Sequence, residues 1–302
     1  MTLNAGIHLN IPPRDYFADP APAPSFTQSL AKIILERSPL HAWHAHPRLN
    51  PDYRHDDATK YDVGNIAHSL MLGRGKELVV LDAFDDWRTK EAKAKREEAA
   101  AEGKLAVLGK HYALAQRMVD AAMEQLNLRG EEHLFRNGDG EVVTIWQEGP
   151  IWLRQMIDWL SADCLTVADY KTTDMSVAPH NLPRMMSNAG WHIQAAMAER
   201  GLDALHPGSA DYRRYVFVVQ ETEPPYLLNV VEMSSDVMTM GMKMLDMAVS
   251  TWRKCVVSNR WPGYPLDICV PEFPGWAEQQ WLDREIHEAA RERSSLNVLD
   301  AG

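Results

Sequence analysis

The sequence predicts an α/β fold in which helices flank a central mixed sheet. Residues 141–173 contain three short runs rich in β-branched and aromatic residues, with breaks at Gly149 and at Ser161. Such runs are typical of strands, and two more, at 215–220 and 226–231, would extend the sheet. Segments with helical spacing of apolar residues precede and follow these runs, which indicates helical additions at both ends.

The N-terminal part is predicted to form an arm and one helix. Residues 1–25 are rich in proline, which disfavours a regular helix and indicates an extended arm. From Ser25, an N-cap candidate, apolar residues follow helical spacing as far as Pro39. The histidines that follow, between 41 and 46, lack a helical i, i+4 pair with an acid, so we assign no metal site to them.

The middle of the chain is predicted to be helical up to the first strand. A helix is expected to begin around Asp62 or Gly64 and to run through the segment NIAHSLMLG. Residues 85–104 are alanine-rich with interleaved charges, which favours an exposed helix or a mobile excursion. Residues 105–126 are interpreted as a further helical segment, and Asn137 to Gly140 as a turn before the strand that Glu141 opens.

Beyond the sheet, a long helix is expected over residues 235–257. Its many methionines favour core packing over a promiscuous binding surface. Residues 277–302 are expected to form an exposed helix and a frayed tail. This predicts three parts: an arm and helix in 1–60, a core in 61–276 with a helical insertion near 85–127, and the C-terminal helix and tail.

Charged side chains lie close together at one end of the predicted sheet. Side chains two apart on a strand share a face, so Asp169 and Lys171 stand side by side. If the turn lies between Ser161 and Cys164, Asp158 on the preceding strand lies diagonal to Asp169. Two carboxylates and an ammonium then converge.

This arrangement suits hydrolysis of a phosphodiester. Two carboxylates can hold Mg²⁺, a cation that prefers oxygen ligands and lowers the pKa of bound water. Lys171 could position the attacking water and stabilise developing negative charge. The same pattern also fits an ordinary exposed cross-strand ion pair, and the residues alone leave both interpretations open.

Composition indicates a folded protein and limits the function classes. The chain has 302 residues, 45% of them hydrophobic, and ten tryptophans, which argue against disorder. No apolar run is long enough to span a bilayer, so we expect a cytoplasmic protein with no membrane partner. The three cysteines, Cys164, Cys255 and Cys269, are too few for a four-cysteine metal site and are expected to be reduced thiols.

Several motifs in this order resemble a known family. The spacing of Asp158 and the run Asp169 to Thr173 is similar to the core of the PD-(D/E)xK nuclease superfamily, in its RecB-like branch. The segment AHSLMLG at 67–73 resembles the histidine-bearing helix of that branch, and WHIQAAM at 191–197 resembles its glutamine-bearing helix. With residues 33–43 and 261–264, the likeness extends to phage and prophage exonucleases of the exonuclease VIII (RecE) type.

The resemblance implies a restriction-endonuclease-like core and further site residues. His68 would complete a metal shell with Asp158 and Asp169, and Gln194 would hydrogen-bond a phosphate or the attacking water. The family frequently has a tyrosine four residues after this glutamine, where this chain has Ala198. A strand glutamate often approaches the metal in the family; Glu141 matches it best, but could equally be a turn residue.

The resemblance also implies an activity. It indicates a Mg²⁺-dependent 5′-to-3′ exonuclease of double-stranded DNA, with Mn²⁺ able to substitute, that leaves 3′ overhangs for a single-strand annealing protein. A homo-oligomer and a bacterial host with a phage or prophage origin fit the same likeness. Two alternatives stay open: an endonuclease specific for DNA structures or single strands, and a non-catalytic DNA-binding or assembly protein.

The net charge of −11 opposes long-range attraction to DNA. A nuclease of this kind therefore needs a local basic path to the site. The candidates for that path are Arg154, Arg184, Arg213, Arg214, Arg253 and Lys254.

Overall fold

A mixed sheet forms the centre of the fold. The computed structural model describes residues 1–54, 63–75, 77–208 and 213–299. The chain divides into two compact units, Met1–Gly263 and Tyr264–Gly302, while the three-part division expected from the sequence stays a prediction. The strands are β1 (Gly6–His8), β2 (Ser25–Phe26), β3 (Leu78–Leu81), β4 (Leu105–Leu108), β5 (Gly138–Glu148), β6 (Ile151–Ser161), β7 (Thr166–Thr173), β8 (Arg214–Glu221) and β9 (Leu228–Glu232).

Seven of these strands belong to one sheet in the order β1-β5-β6-β7-β8-β9, with β2 beside β6. The β5–β6, β6–β7 and β8–β9 pairs are antiparallel, whereas β7–β8 and β2–β6 are parallel. The predicted central mixed sheet is therefore confirmed. The helices are α1 (Pro13–Phe17), α2 (Gln28–Glu36), α3 (Pro39–His44), α4 (Val63–Leu72), α5 (Lys90–Ala101), α6 (Gly109–Leu128), α7 (Leu182–Ala189), α8 (Trp191–Leu205), α9 (Ser235–Ser258) and α10 (Gly275–Leu299).

Helices cover the sheet and bury its alternating side chains. Along β7, Ala168 and Tyr170 join a core cluster with α4 and α6, while Val167 joins another with α7 and α8. This alternation follows from the two-residue repeat of a strand. Asp169 therefore lies on the same side of β7 as Val167, facing α8. Among the described helices, none combines the length and the apolar character needed to cross a membrane.

A small parallel sheet, β3–β4, corrects the helix expected from residue 105 onward. The four residues of β4 are all buried and pair with Leu78–Leu81, and α6 begins only at Gly109. A short apolar run cannot be assigned to strand or helix by periodicity alone. Its partner strand lies upstream of α5, so no local signal identifies the pairing.

The N-terminal arm is less extended than predicted. It contains the short helix α1, which Pro13 can begin because the first turn of a helix needs no proline N–H. Ser25 lies in β2, and Thr27 is the N-cap of α2, accepting a hydrogen bond from the amide of Leu30 at 3.3 Å. Helix α2 ends at Glu36, before Pro39, as expected.

The methionines of α9 only partly fill the core. Met242 and Met244 pack against one core cluster, but Met240 and Met247 are 55% and 65% exposed. Residues seven apart lie on the same side of a helix, so these two share the outer face. The core-packing prediction is wrong for them. The three cysteines are free thiols.

Candidate active site

The β6–β7 hairpin holds the two aspartates of the predicted site. Its turn is fixed by Ser161, whose hydroxyl accepts hydrogen bonds from the amides of Leu165 at 3.1 Å and Thr166 at 2.8 Å. The strands pair Trp159 with Ala168 and Leu160 with Val167. One residue further along this register, Asp158 lies opposite Asp169. The expected diagonal relation is therefore wrong: the two aspartates face each other directly and are closer than a diagonal pair.

Lys171 lies against both carboxylates. Its Nζ is 2.6 Å from Oδ1 of Asp169 and 4.0 Å from Oδ2 of Asp158. The contact with Asp169 is a short ion pair to a buried carboxylate oxygen. The structure thus brings together the acid, acid and lysine that the sequence predicted.

The two carboxylates have pKa values displaced in opposite directions. Burial and the charge of Asp158 raise the pKa of Asp169 to about 7, although Lys171 opposes this shift. At Asp158 burial favours the neutral form, but the hydrogen bond from His68 and the charge of Lys171 outweigh burial and lower the pKa. Such a split is typical of two acids that share one site and cannot both ionise without a cation.

His68 reaches the site from α4. Its Nε2 lies 3.0 Å from Oδ2 of Asp158, and its ring stacks on Tyr170 with centroids 6.4 Å apart. The buried face of α4 contains Ile66 and Met71, whereas the His68 side chain is 31% exposed. Burial opposes protonation of His68, but the hydrogen bond and charge of Asp158 raise its pKa overall. The histidine therefore faces the site and not the core.

Gln194 reaches the same site from α8. Its side-chain amide donates a hydrogen bond to Oδ2 of Asp169. Its backbone carbonyl accepts a hydrogen bond from the side chain of Gln155 at 3.1 Å, which ties α8 to β6. Ala198, one turn later, is buried in a core cluster, so the position where the family often has tyrosine carries no polar group here. Contact with a phosphate or water stays a prediction for Gln194.

Glu141, whose role the sequence left open, lies beside the candidate site. The expected turn before it is wrong, because β5 already begins at Gly138. Gly140 pairs with Trp159 and Val142 with Ile157, so Glu141 lies opposite Asp158 in an irregular step where its φ is 52°. Burial raises the pKa of Glu141. The charge of His68 lowers this pKa, and the charge of Asp158 raises it.

Three acids on adjacent strands thus form a row, Glu141, Asp158 and Asp169. The positive φ of Glu141 is a local irregularity in a strand pair whose register is unbroken from Gly138 to Glu148. The turn-like composition of residues 137–140 hid the start of β5, which lies three residues before Glu141.

The donor set fits a hard divalent cation. In the described part of the chain, no three His, Cys, Asp or Glu side chains already surround a common metal position. Instead, His68 contacts Asp158, and Lys171 contacts both aspartates. Carboxylate oxygens with one imidazole suit Mg²⁺ or Mn²⁺. A cation between the aspartates would relieve the repulsion that raises the pKa of Asp169.

Most of the basic residues expected to contact DNA are already engaged. Arg154 is buried and pairs with Asp19 at 3.0 Å, and Arg213 is buried and bonds Asp203. The partners of the next two are acidic side chains as well: Arg214 pairs with Glu131 and Glu232, and Arg253 with Glu148. The prediction is wrong for the two buried arginines, because their acidic partners lie in other segments of the chain. Arg184 and Lys254 are exposed.

Comparison with known proteins agrees with this fold. A crystal structure from Eubacterium rectale, described as a proposed exonuclease, superposes with a TM-score of 0.57 at 11% sequence identity. The match covers 88% of this chain and 96% of that one, and at this identity it shows the fold alone. A search of curated proteins finds no significant match. Residues 29–270, most of the chain, match the family model of the PDDEXK-like domain of unknown function DUF3799, and the chain therefore belongs to this PD-(D/E)xK-like family.

Proposed function

We propose that the protein is a divalent-metal-dependent deoxyribonuclease. The observation that carries this proposal is the convergence of two directly opposed carboxylates, with Lys171 in contact with both. Two largely buried carboxylates this close repel each other when both are ionised, and a divalent cation between them would remove that repulsion. Membership of a PD-(D/E)xK-like family supports a nuclease.

The roles follow from the positions of the side chains. Asp158 and Asp169 hold the metal, and His68 contributes an imidazole nitrogen beside Asp158. When bound, Mg²⁺ or Mn²⁺ supplies positive charge at the phosphate and lowers the pKa of a coordinated water. Lys171, fixed against Asp169, positions the attacking water and stabilises negative charge on the phosphate. Gln194 holds Asp169 in orientation from α8.

The finer assignment is an exonuclease that degrades double-stranded DNA from 5′ to 3′. It would leave a 3′ single strand for an annealing protein. The resemblance of the motifs to RecE-type exonucleases supports the polarity and the partner. The fold shared with a proposed exonuclease from Eubacterium rectale supports attack at ends.

A time course on labelled DNA tests this function. Linear duplex labelled at the 5′ or the 3′ end, and closed circular duplex, are incubated with Mg²⁺ or with EDTA. We expect rapid release of the 5′ label as short products, late release of the 3′ label, an intact circle, and no cleavage in EDTA. Cleavage of the circle would identify an endonuclease instead. No cleavage of any substrate with Mg²⁺ or Mn²⁺ would overturn the proposal.

A further inference from the structure

Gln155 is a buried polar residue on the face of β6 that packs against α8. Its neighbours on that face, Ile151, Leu153 and Ile157, are apolar, and all four residues are at most 1% exposed. Burying an amide side chain costs free energy unless the amide makes hydrogen bonds. The bond that Gln155 makes therefore indicates why a polar residue occupies this face.

Gln155 donates a hydrogen bond to the backbone of α8. Its side-chain nitrogen lies 3.1 Å from the carbonyl oxygen of Gln194. Gln194 lies inside the helix Trp191–Leu205, where the same carbonyl also accepts from the amide four residues later. The helix therefore does not need Gln155 to satisfy this carbonyl. The bond instead joins one point of α8 to β6.

That point is the residue whose side chain reaches the site. The side-chain amide of Gln194 donates to Oδ2 of Asp169. Gln155, Gln194, Asp158 and Asp169 line one narrow internal cavity, so the bond to β6 lies directly behind the two acids. A shift of α8 along its axis would carry the amide of Gln194 away from Asp169, and the bond from Gln155 opposes that shift.

A second contact holds the first turn of α8, but it is less exacting. The ring of Trp191 stacks on that of Phe217 in β8, with centroids 5.3 Å apart and planes at 13°. Aromatic pairs are favourable over centroid separations of about 4.5–7 Å, whereas an N–H···O bond spans only about 2.7–3.2 Å. Gln155 is therefore the contact that specifies the position of Gln194 relative to Asp169.

From this series of contacts we infer that Gln155 is a positioning residue for the reaction: it holds α8 where Gln194 keeps Asp169 oriented. The inference rests on the proposed nuclease function. Because Gln155 acts through Gln194 on a metal ligand, its loss should affect turnover and metal binding, and not the affinity for DNA.

Replacing Gln155 by an apolar residue of the same length tests this role. At saturating Mg²⁺, Gln155→Met should lower kcat on end-labelled linear duplex by about 3- to 10-fold, the range for one lost neutral hydrogen bond, with little change in KM. Calorimetric titration should show a fall in Mn²⁺ affinity by a similar factor. A residue that only fills the core would change stability and leave both quantities, per folded molecule, as in the wild type.

A double-mutant cycle shows whether Gln155 acts through Gln194. Gln194→Ala removes the side chain that Gln155 positions, so adding Gln155→Met to it should cause no further loss of kcat or Mn²⁺ affinity. Losses that add in both measurements would overturn the inference. Gln155→Leu gives a second apolar replacement, so the cycle does not depend on the stability of one variant.

Gln125→Met is the matched control. Gln125 also joins a helix to the sheet: its side chain donates to the carbonyl of Tyr226 at 2.9 Å and accepts from the amide of Leu228 at 3.1 Å. Its loss should lower stability and leave kcat and Mn²⁺ affinity unchanged. An equal loss of kcat in Gln125→Met would contradict the inference, because any bond between helix and sheet would then have the same effect.

The two measurements separate this inference from the proposed function. Wild-type kcat and Mn²⁺ affinity in both Gln155→Met and Gln155→Leu would contradict the positioning role and leave the nuclease intact. A wild-type protein that cleaves no DNA, but loses Mn²⁺ affinity through Gln155 only when Gln194 is present, would contradict the nuclease and leave the positioning role standing.

Discussion

Two buried acidic clusters lie close together on β6, and the pKa values of their buried aspartates are shifted in opposite directions. One cluster joins Asp19, His46 and Arg154; the other joins Asp169, Lys171 and, through Asp158, His68. Both contain aspartate, histidine and a basic residue, and the aspartate side chain is 0% exposed in the first and 5% in the second. Burial alone therefore does not separate them.

Their hydrogen bonds differ. Asp19 accepts bonds from the amide of Ser25 at 2.9 Å and from its hydroxyl at 2.6 Å, and Arg154 pairs with it at 3.0 Å. Burial opposes ionisation of Asp19, but the hydrogen bond from His46 and the charge of Arg154 outweigh it and lower the pKa. Burial instead raises the pKa of Asp169 to about 7.

The Asp19 cluster stabilises the fold, whereas the Asp169 cluster has the properties of a site. The Asp19 carboxylate is ionised, and Ser25, His46 and Arg154 supply its hydrogen bonds and counter-charge. This cluster therefore stabilises the contact of the N-terminal arm with β6. The Asp169 carboxylate lies opposite another acid, and burial together with the charge of that acid raises its pKa even though Lys171 and Gln194 contact it. A group that the fold leaves in this state is a candidate for binding a cation from outside.

The largest expected effect is on activity at the second cluster. Asp169→Asn should lower cleavage by about 10³-fold or more, because it removes a metal ligand and the charge that holds Lys171. The melting temperature without metal should not fall, since the substitution removes the repulsion between two acids. Cleavage of end-labelled duplex and thermal unfolding measure the two effects.

Asp236→Asn is the matched control, because Asp236 is an exposed aspartate in the first turn of α9. It should retain full activity. If Asp169→Asn cleaves DNA as fast as the wild type, Asp169 does not belong to the site.

At the Asp19 cluster we expect a loss of stability and no loss of activity. Asp19→Asn should lower the free energy of unfolding by about 3–5 kcal/mol, because it leaves Arg154 buried with its main counter-charge removed. Activity per folded molecule should be unchanged. Denaturant unfolding with a parallel activity assay measures both, and a stable but inactive variant would contradict the division between the clusters.

The effect of His68→Ala should be intermediate between those of Asp169→Asn and Asp19→Asn. We expect metal affinity to drop by about 10- to 100-fold, since the residue fixes Asp158 and supplies an imidazole. Thermal unfolding without metal should change little, because the side chain is 31% exposed. Calorimetric titration with Mn²⁺ measures the affinity, and His44→Ala, at an exposed histidine of α3, is the control. Lost stability with unchanged metal affinity would make His68 structural.

The smallest expected effect is a pH dependence of the first cluster. The pKa of Asp19 is lower in the folded than in the unfolded state, so its contribution to stability is present above the unfolded pKa, about 4. It is lost as pH falls through the folded pKa. The difference in melting temperature between wild type and Asp19→Asn should therefore narrow from pH 7 to pH 3. A difference that widens in acid would contradict the lowered pKa.

The sequence predicted the second cluster well because its signals are local. Asp158, Asp169 and Lys171 lie on one hairpin, where the two-residue repeat and a short turn determine which side chains meet. The sequence predicted a diagonal relation between the two aspartates, but the strands place them directly opposite each other, because the turn alone did not specify the register. His68 and Gln194 came from the family resemblance, because α4 and α8 are far from the hairpin in sequence.

The first cluster could not be predicted for a physical reason. Arg154 has the pattern of an exposed strand residue, and only the fold shows that the arm brings Asp19 onto it. The role of Glu141 was left open because the glycine-rich run before it is typical of a turn, whereas it forms the start of β5. The β3–β4 pair was missed because parallel strands are joined through distant segments.

The central claim is that Asp158 and Asp169 share a metal ion. Crystals soaked in Mn²⁺ test it most directly, because anomalous scattering locates the ion without reference to activity. We predict one strong peak about 2.1 Å from a carboxylate oxygen of each aspartate, and no peak there in crystals of Asp169→Asn. A peak more than about 4 Å from both carboxylates, or none at saturating Mn²⁺, would contradict the claim.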